Sequence, residues 1–473
     1  MLRPLIERRR YRNPRDARQR GVTMAIVALS MVALISMAAL SIDLGSLYEA
    51  KAEAQRAADM GALAAARVIS LEGLTGDPGG PDDTAWGDIC AGEGSAASTI
   101  AKNVVDQNLI NGSAASTVKV YYGTTGSLGT TEDCTAATGS GFTVNPMVQV
   151  HVQQATLPNF FSRIFSLVVS GGASNSGVSA TATAEVFNSS GSGALASGMV
   201  PVQPRCVKPW VVVDADPNNA GVAFVNPTNG TMNNSGVYQL GSGVIGETFT
   251  LNADCTAGRP NCEAGSGMGG DNPPRYNGSF LEYLPALVSG TPVAVASNGS
   301  CSLTNNYQSE IAGCDQTTVY ACGTPNGANL DLTENPLNPA GAGGDTPTGA
   351  ACLINNGAGR DELAGYPTPA YPFEIMAGTG NPYFKAGVVN NNDVVTTSNS
   401  IVTVPIANFA GVALSGTQPQ VTIVGYLQLF IDQINLDGSL VVTVLNVAGC
   451  GDSAGTSTAK GTSPVPIRLI TPQ

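Results

Sequence analysis

RQRGVTMAIVALSMVALISMAALSIDLG (residues 18–45) runs without a break into SLYEAKAEAQRAADMGALAAARVIS (residues 46–70). No charge falls between Gly21 and Ile42, about the 20 residues that a helix needs to cross a bilayer. No proline interrupts residues 21–70, and after Asp43 the strong helix formers Ala, Leu, Met, Glu, Gln, Lys and Arg dominate. The spacing predicts one helix over 21–72, its first half in lipid and its second half standing out of the membrane. Gly73, Gly76, Pro78 and Pro81 end it and open a loop.

Charge gives this helix a direction. Residues 1–20 hold Arg3, Arg8, Arg9, Arg10, Arg12, Arg15, Arg18 and Arg20 against Glu7 and Asp16. The remainder is therefore more acidic than the net charge of −13 over the 473 residues. Arginines directly before an apolar run keep that end in the cytoplasm, and the C-terminal mass is exported. The same position explains the basic tail without nucleic-acid binding. A cleaved secretory signal is the alternative, but its apolar region would span only about 7–15 residues before a small-residue cleavage site. A retained, single-pass anchor is expected.

All ten cysteines follow the span. An even number confined to the exported part predicts disulfides in an oxidising compartment. Cys255 with Cys262, closing a small loop, and Cys206 with Cys450, tying the ends of the last domain, are the pairings considered. Neither CxxC nor a Cys/His spacing suggests zinc, and there is one histidine.

Beyond the helix, residues 96–110 place Ile100, Val104, Val105 and Leu109 at helical spacing. Residues 117–122 and 147–153 read as strands, 157–168 as a short apolar helix and 178–187 as a further strand. Together these predict an α+β module over residues 84–187. A Ser/Gly/Ala linker follows at 188–198. Residues 199–473 are rich in Cys, Gly, Asn and Pro, with strand candidates at 210–213, 247–251, 291–296, 401–406, 420–431 and 439–447, the last two flanking a turn at INLDG. Residues 255–277 and 326–361 show little periodicity, and such loops need staples in a compact domain. The expected fold class is α+β: a long transmembrane helix, a small α+β module, then a disulfide-stapled β-rich domain.

The segment from Arg20 to Arg67 resembles the N-terminal region of the TadG-like (TadE/TadG-like) Flp pilus-assembly family. The features are the basic tail ending at Gly21, the apolar span, Asp43-Leu44-Gly45, Tyr48 and AADMGALAAAR over residues 57–67. A looser likeness to the Tad pseudopilin pattern covers VQVHV, NFFSRIF and ATATAEV between Val148 and Val186. The resemblance implies an inner-membrane component of the machinery that builds thin adhesive pili, whose partners are the membrane and other Tad/Flp subunits. Two departures stand out. The DxSxS motif of a von Willebrand factor A domain is missing, since Asp437-Gly438-Ser439-Leu440-Val441 fails at its last position. Ile26 stands where a type IV prepilin carries glutamate after its processed glycine, here Gly21.

Chemistry-bearing motifs are sparse. His151 lies in an alternating strand with no nucleophile pattern around it, and no GxSxG elbow occurs. Asp214, Asp216 and Asn218 begin like a calcium loop, but Asn219 and Val225 occupy the positions that need Gly and Glu, so an Asx turn is expected. Asn390 to Asp393 reads the same way. Asp59 lies within the alanine-rich run, as a solvated charge or a contact with a partner subunit. No catalytic, cofactor-binding or metal residues are assigned and no small-molecule substrate is evident. The expectation is a non-enzymatic structural or accessory component of Tad/Flp pilus assembly in a bacterial inner membrane, with the bulk of the chain periplasmic or extracellular. The alternatives are a membrane-anchored adhesin or ligand-binding protein, and a tethered hydrolase.

Overall fold

A computed structural model describes residues 14–72, 83–124, 128–137, 142, 145–158, 176–187, 202–228, 230–234, 238, 243–253, 276–288, 301–314, 320, 330–331, 343–356, 359–409, 421–450, 459–461 and 463–470. The helix α1 spans Pro14–Leu71, 58 residues, or roughly 87 Å at 1.5 Å per residue. It begins earlier than the apolar run alone indicates, at a proline, which a first helical turn tolerates. Two shorter helices follow, α2 (Asp83–Cys90) and α3 (Ala96–Gln107). Then come strands β1 (Thr117–Gly123), β2 (Met147–Leu157) and β3 (Ser176–Val186).

The chain divides into two compact units, one of Met1–Ala57, Asp106–Val118 and Val152–Ala180, the other of Ala58–Val105, Lys119–His151 and Thr181–Gln473. In the first unit Ala50, Ala54 and Ala57 of α1 are buried. Glu53 Oε2 accepts from the Asn111 amide at 2.6 Å, and the Lys51 ammonium donates to the Ser179 carbonyl.

In the second unit α1 buries Ala58, Ala62, Ala65, Ala66 and Ile69 completely. Gly61 is the point of closest approach. A Cβ there would lie 2.7 Å from Val105 Cγ2 on α3 and 3.4 Å from Val150 Cγ1 on β2. The Cys90–Cys134 disulfide joins α2 to the short 3-10 turn Cys134–Ala137. β1, β2 and β3 form a four-stranded sheet with β11 (Ile467–Ile470), which pairs antiparallel with β3 from Ile467↔Val186 to Ile470↔Thr183. The end of the chain thus completes the sheet begun before the expected linker.

The β-rich part is built on a six-stranded closed barrel. Its strands are β4 (Trp210–Val213), β5 (Thr248–Ala253), β7 (Phe280–Pro285), β8 (Ile401–Asn408), β9 (Thr422–Ile434) and β10 (Leu440–Gly449), with the short β6 (Tyr276–Asn277) added on β7. The order is β4-β8-β9-β10-β5-β7, and β7 pairs back onto β4, Trp210↔Pro285. Closure removes sheet edges. The β9–β10 hairpin runs from Gly425↔Gly449 to Ile434↔Leu440, with bulges, around the turn at Asp437. Gly449 admits no side chain, because a Cβ would overlap the Gly230 carbonyl. Nearly every residue of β8, β9 and β10 is buried, on both faces.

Several expectations change. Cys206 bonds Cys314, not Cys450, and Cys301 bonds Cys352. The reason lies beside Cys206: Lys208 Nζ donates to the carbonyls of Ile311 and Gly313, both at 2.7 Å, which brings the end of α4 (Asn306–Ala312) to that strand. The aperiodic stretch 326–361 contains a helix, α5 (Asp345–Leu353), held by Cys301–Cys352. Neither α2 nor α4 is signalled by periodicity, both being too short. Cys255 with Cys262, the linker, the strand at 291–296 and all of the expected helix 157–168 except its first two residues lie outside the described residues. Leu157 itself ends β2, which is longer than its alternating part.

Gly61→Leu should destabilise the second unit by about 1–3 kcal/mol, the usual cost of overpacking a tight core. It should leave membrane association intact. Thermal melting and alkaline extraction of the membrane fraction check the two halves of this expectation.

Candidate membrane and assembly surface

α1 presents three surfaces. Between Val22 and Ile42 nearly all side chains are exposed, Ala39 being buried and Ser36 half-buried: Val22, Ile26, Leu29, Val32, Leu34, Ile35 and Met37 are all at least 60% exposed. A helix that is apolar all round is stable only within a protein core or a membrane, and among the described residues little covers this stretch. It is the one described helix long and apolar enough to cross a bilayer.

Past Asp43 the helix becomes two-faced. One face carries Ala50, Ala54, Ala57, Ala58, Gly61, Ala62 and Ala65, all buried. The opposite face carries Leu44, Tyr48, Ala52, Arg56 and Met60, all exposed, with Tyr48 at 75% and Met60 at 54%. Recurring every four residues, they form a row that winds about 40° around the helix at each step, with Tyr48 to Met60 opposite the alanines and Leu44 at its edge. At Gly61 the small-residue face, which the sequence offers for packing against other helices, meets the chain's own α3 and β2. Gly61 therefore belongs to the internal core, and the free stripe is the one through Tyr48 and Met60. Asp59 lies between the two faces, half-buried.

The C-terminal end of α1 is fixed by polar contacts. Asn446 of β10, fully buried, donates through Nδ2 to the Ser70 carbonyl at 2.7 Å. Ser70 Oγ donates to the Val465 carbonyl at 2.9 Å. The first of these bonds satisfies a backbone carbonyl that a helix terminus leaves unpaired. Glu72, just after the helix, continues its buried phase through Ala58, Gly61, Ala65 and Ile69 and is 1% exposed. Its Oε2 accepts from the Phe373 amide at 3.0 Å, and burial pushes its pKa up to about 8, with Glu374 adding to the rise. Arg67 donates through Nε to the Thr396 carbonyl at 3.4 Å, and burial lowers its pKa to about 10. Sequence reasoning missed both residues. For Glu72 the one signal was its phase on the helix, whereas Arg67 shares the phase of exposed Met60 and gave none.

The other residues singled out from the sequence have local roles. Asp216 Oδ1 accepts from the amides of Asn218 and Asn219 at 2.9 and 3.2 Å, an Asx turn. Buried Glu247 accepts from Asn218 Nδ2, and burial together with the nearby Asp216 raises its pKa. Asp214 instead takes the Val225 amide at 3.1 Å. Asp393 Oδ2 accepts from the Asn390 amide at 2.7 Å. Asp437 Oδ1 accepts from the amide and hydroxyl of Ser439, capping the β9–β10 turn. His151 is half-buried on β2.

Residues 21–68 match the family model described as "Putative Flp pilus-assembly TadE/G-like". The match covers the lipid-compatible stretch and both faces of the second half of α1. No curated protein and no solved structure matches the chain.

Two outcomes test these surfaces. Leu34→Arg places a charge mid-span, where insertion costs about 2.5–3.5 kcal/mol, and should shift the protein out of the membrane fraction on extraction. For Glu72 the folded pKa stands above its ordinary value of 4.5. Its stabilising contribution is complete below that value and is lost as pH rises through about 8. Melting temperatures of the wild type and Glu72→Gln should therefore diverge between pH 5 and 8, with the variant losing less.

Proposed function

We propose that this protein is a structural or accessory component of Tad/Flp pilus assembly, anchored in a bacterial inner membrane by a single span with its N-terminus cytoplasmic. The observation that carries this reading is the family match over residues 21–68, on a helix whose first half is exposed apolar surface. In this reading α1 works by lateral association. Its span lies among other pilin-type spans, and the stripe through Leu44, Tyr48, Ala52, Arg56 and Met60 meets a partner helix. The α3, β1, β2 and β3 module is pseudopilin-like in role, a head that keeps the stripe clear by covering the opposite face. The protein acts by binding and not by turnover. The barrel is the part that faces the pilus or the envelope, with the bulk of the chain periplasmic.

A photo-crosslinking residue at position 48, 52 or 60, in cells that assemble the pilus, should capture other pilus-assembly subunits. The same residue at buried position 58 should not. Crosslinks absent from the stripe while pili still assemble would sink the reading. A second reading, a membrane-anchored ligand-binding protein, is favoured by one observation, the cationic cavity described next.

A further inference from the structure

The second unit contains a cavity of about 540 Å³ beside β8 and β9. Its lining includes three cations, Arg67, Lys208 and Lys385, and no acid among the described residues. That is unusual in a chain with a net charge of −13. Lys208 is withdrawn from bulk water and Arg67 is half-buried. Lys208 is 4% exposed and spends two of its N–H groups on the carbonyls of Ile311 and Gly313. Burial lowers its pKa to about 7, because no carboxylate compensates the charge. The guanidinium of Arg67 donates only through Nε, so its terminal nitrogens have no protein partner among the described residues. A buried cation without a counter-charge is costly, and an anion in the cavity would relieve that cost.

The remaining lining fits such a ligand. Gln428 reaches the cavity from β9. Its Nε2 donates to Ser463 Oγ at 2.9 Å, while its Oε1 is buried without a hydrogen-bond partner, an open acceptor for a ligand hydroxyl. Cys206, Cys314 and Cys352 lie in the wall, so two disulfides hold its shape. The volume is in the range of small-molecule sites.

We propose that this cavity binds a small hydroxylated oxyanion, a carboxylate or phosphate on a sugar-like scaffold. Arg67 and Lys208 hold the anionic group, Lys385 stands at its mouth and Gln428 accepts from a hydroxyl. This goes beyond the assembly role and does not depend on it.

The test is calorimetric titration of the full chain in detergent with glucuronate, glucose 6-phosphate and glucose. Saturable one-to-one binding of either oxyanion, with none for glucose, is expected, and which of the two binds identifies the anionic group. Arg67→Gln removes charge-assisted hydrogen bonds and should weaken binding about tenfold or more. Lys385→Gln changes an exposed residue, should fold normally and should weaken binding severalfold, so it carries the test if the Arg67 variant fails to fold. Lys102→Gln, whose ammonium pairs with Glu93 at 3.4 Å away from the cavity lining, is the control and should bind as the wild type does. The proposal is overturned if neither oxyanion binds, if glucose binds equally, or if Lys385→Gln leaves affinity unchanged.

Discussion

The close approach of α1 to α3 and β2 at Gly61 is the constraint on which the second unit rests. It is possible only because the inner face of the helix is made of alanine and one glycine. Each Cβ added to that face would push the neighbours outward, and Gly61 already stands within 2.7 Å of Val105 Cγ2 if given one. Small residues let backbones come near enough for many weak dispersion contacts to act together. They also bury little apolar area per residue. The helix is therefore supported by supplementary bonds at its end, from Asn446 to Ser70 and from Phe373 to Glu72.

Those end contacts come from the barrel and from the loops on it. β8, β9 and β10 are buried on both faces, so the barrel has an interior and also an outer layer covering it. α5 and the disulfide-bonded segments contribute to that layer, and so does the last turn of α1. Many of the layer's segments are short and irregular and could not stand alone. Cys206–Cys314 and Cys301–Cys352 close loops of sequence separation 108 and 51, limiting the freedom those segments have when unfolded. Cys90–Cys134 does the same for α2.

The sequence made the long helix legible because two signals coincide there: an uncharged run long enough for a bilayer and an unbroken series of helix formers. The strands of the barrel were legible for a related reason. QVTIVGYLQLFI and SLVVTVLNV are runs of β-branched and large apolar residues around a turn at Asp437, and they became β9 and β10. Barrel closure was not legible. It depends on β7 pairing with β4, a contact between short strands with no local pattern. Cys206 found Cys314 through the tertiary tie of Lys208 to Ile311 and Gly313, which no spacing encodes. The faces of α1 were half legible. Alanine spacing marked a packing face, but composition could not say whether the neighbour was another subunit or the chain itself. α3 carries the complementary apolar phase, and with it the answer.

Arg67 links two of these features. It belongs to α1, three residues before Ser70, and it lines the cavity beside β8 and β9. Its terminal nitrogens meet no protein partner among the described residues, so part of the cost of burying it stands uncompensated in the folded chain. Anything anionic that fills the cavity lowers that cost, and by mass action stabilises the state in which the end of α1 is docked. The coupling is reciprocal, since a helix end that loosens withdraws a cation from the site. The same residue thus sets how firmly the helix is held and how strongly the cavity attracts an anion. A neutral residue at that position would remove this connection, whereas arginine keeps the helix end and the cavity dependent on each other.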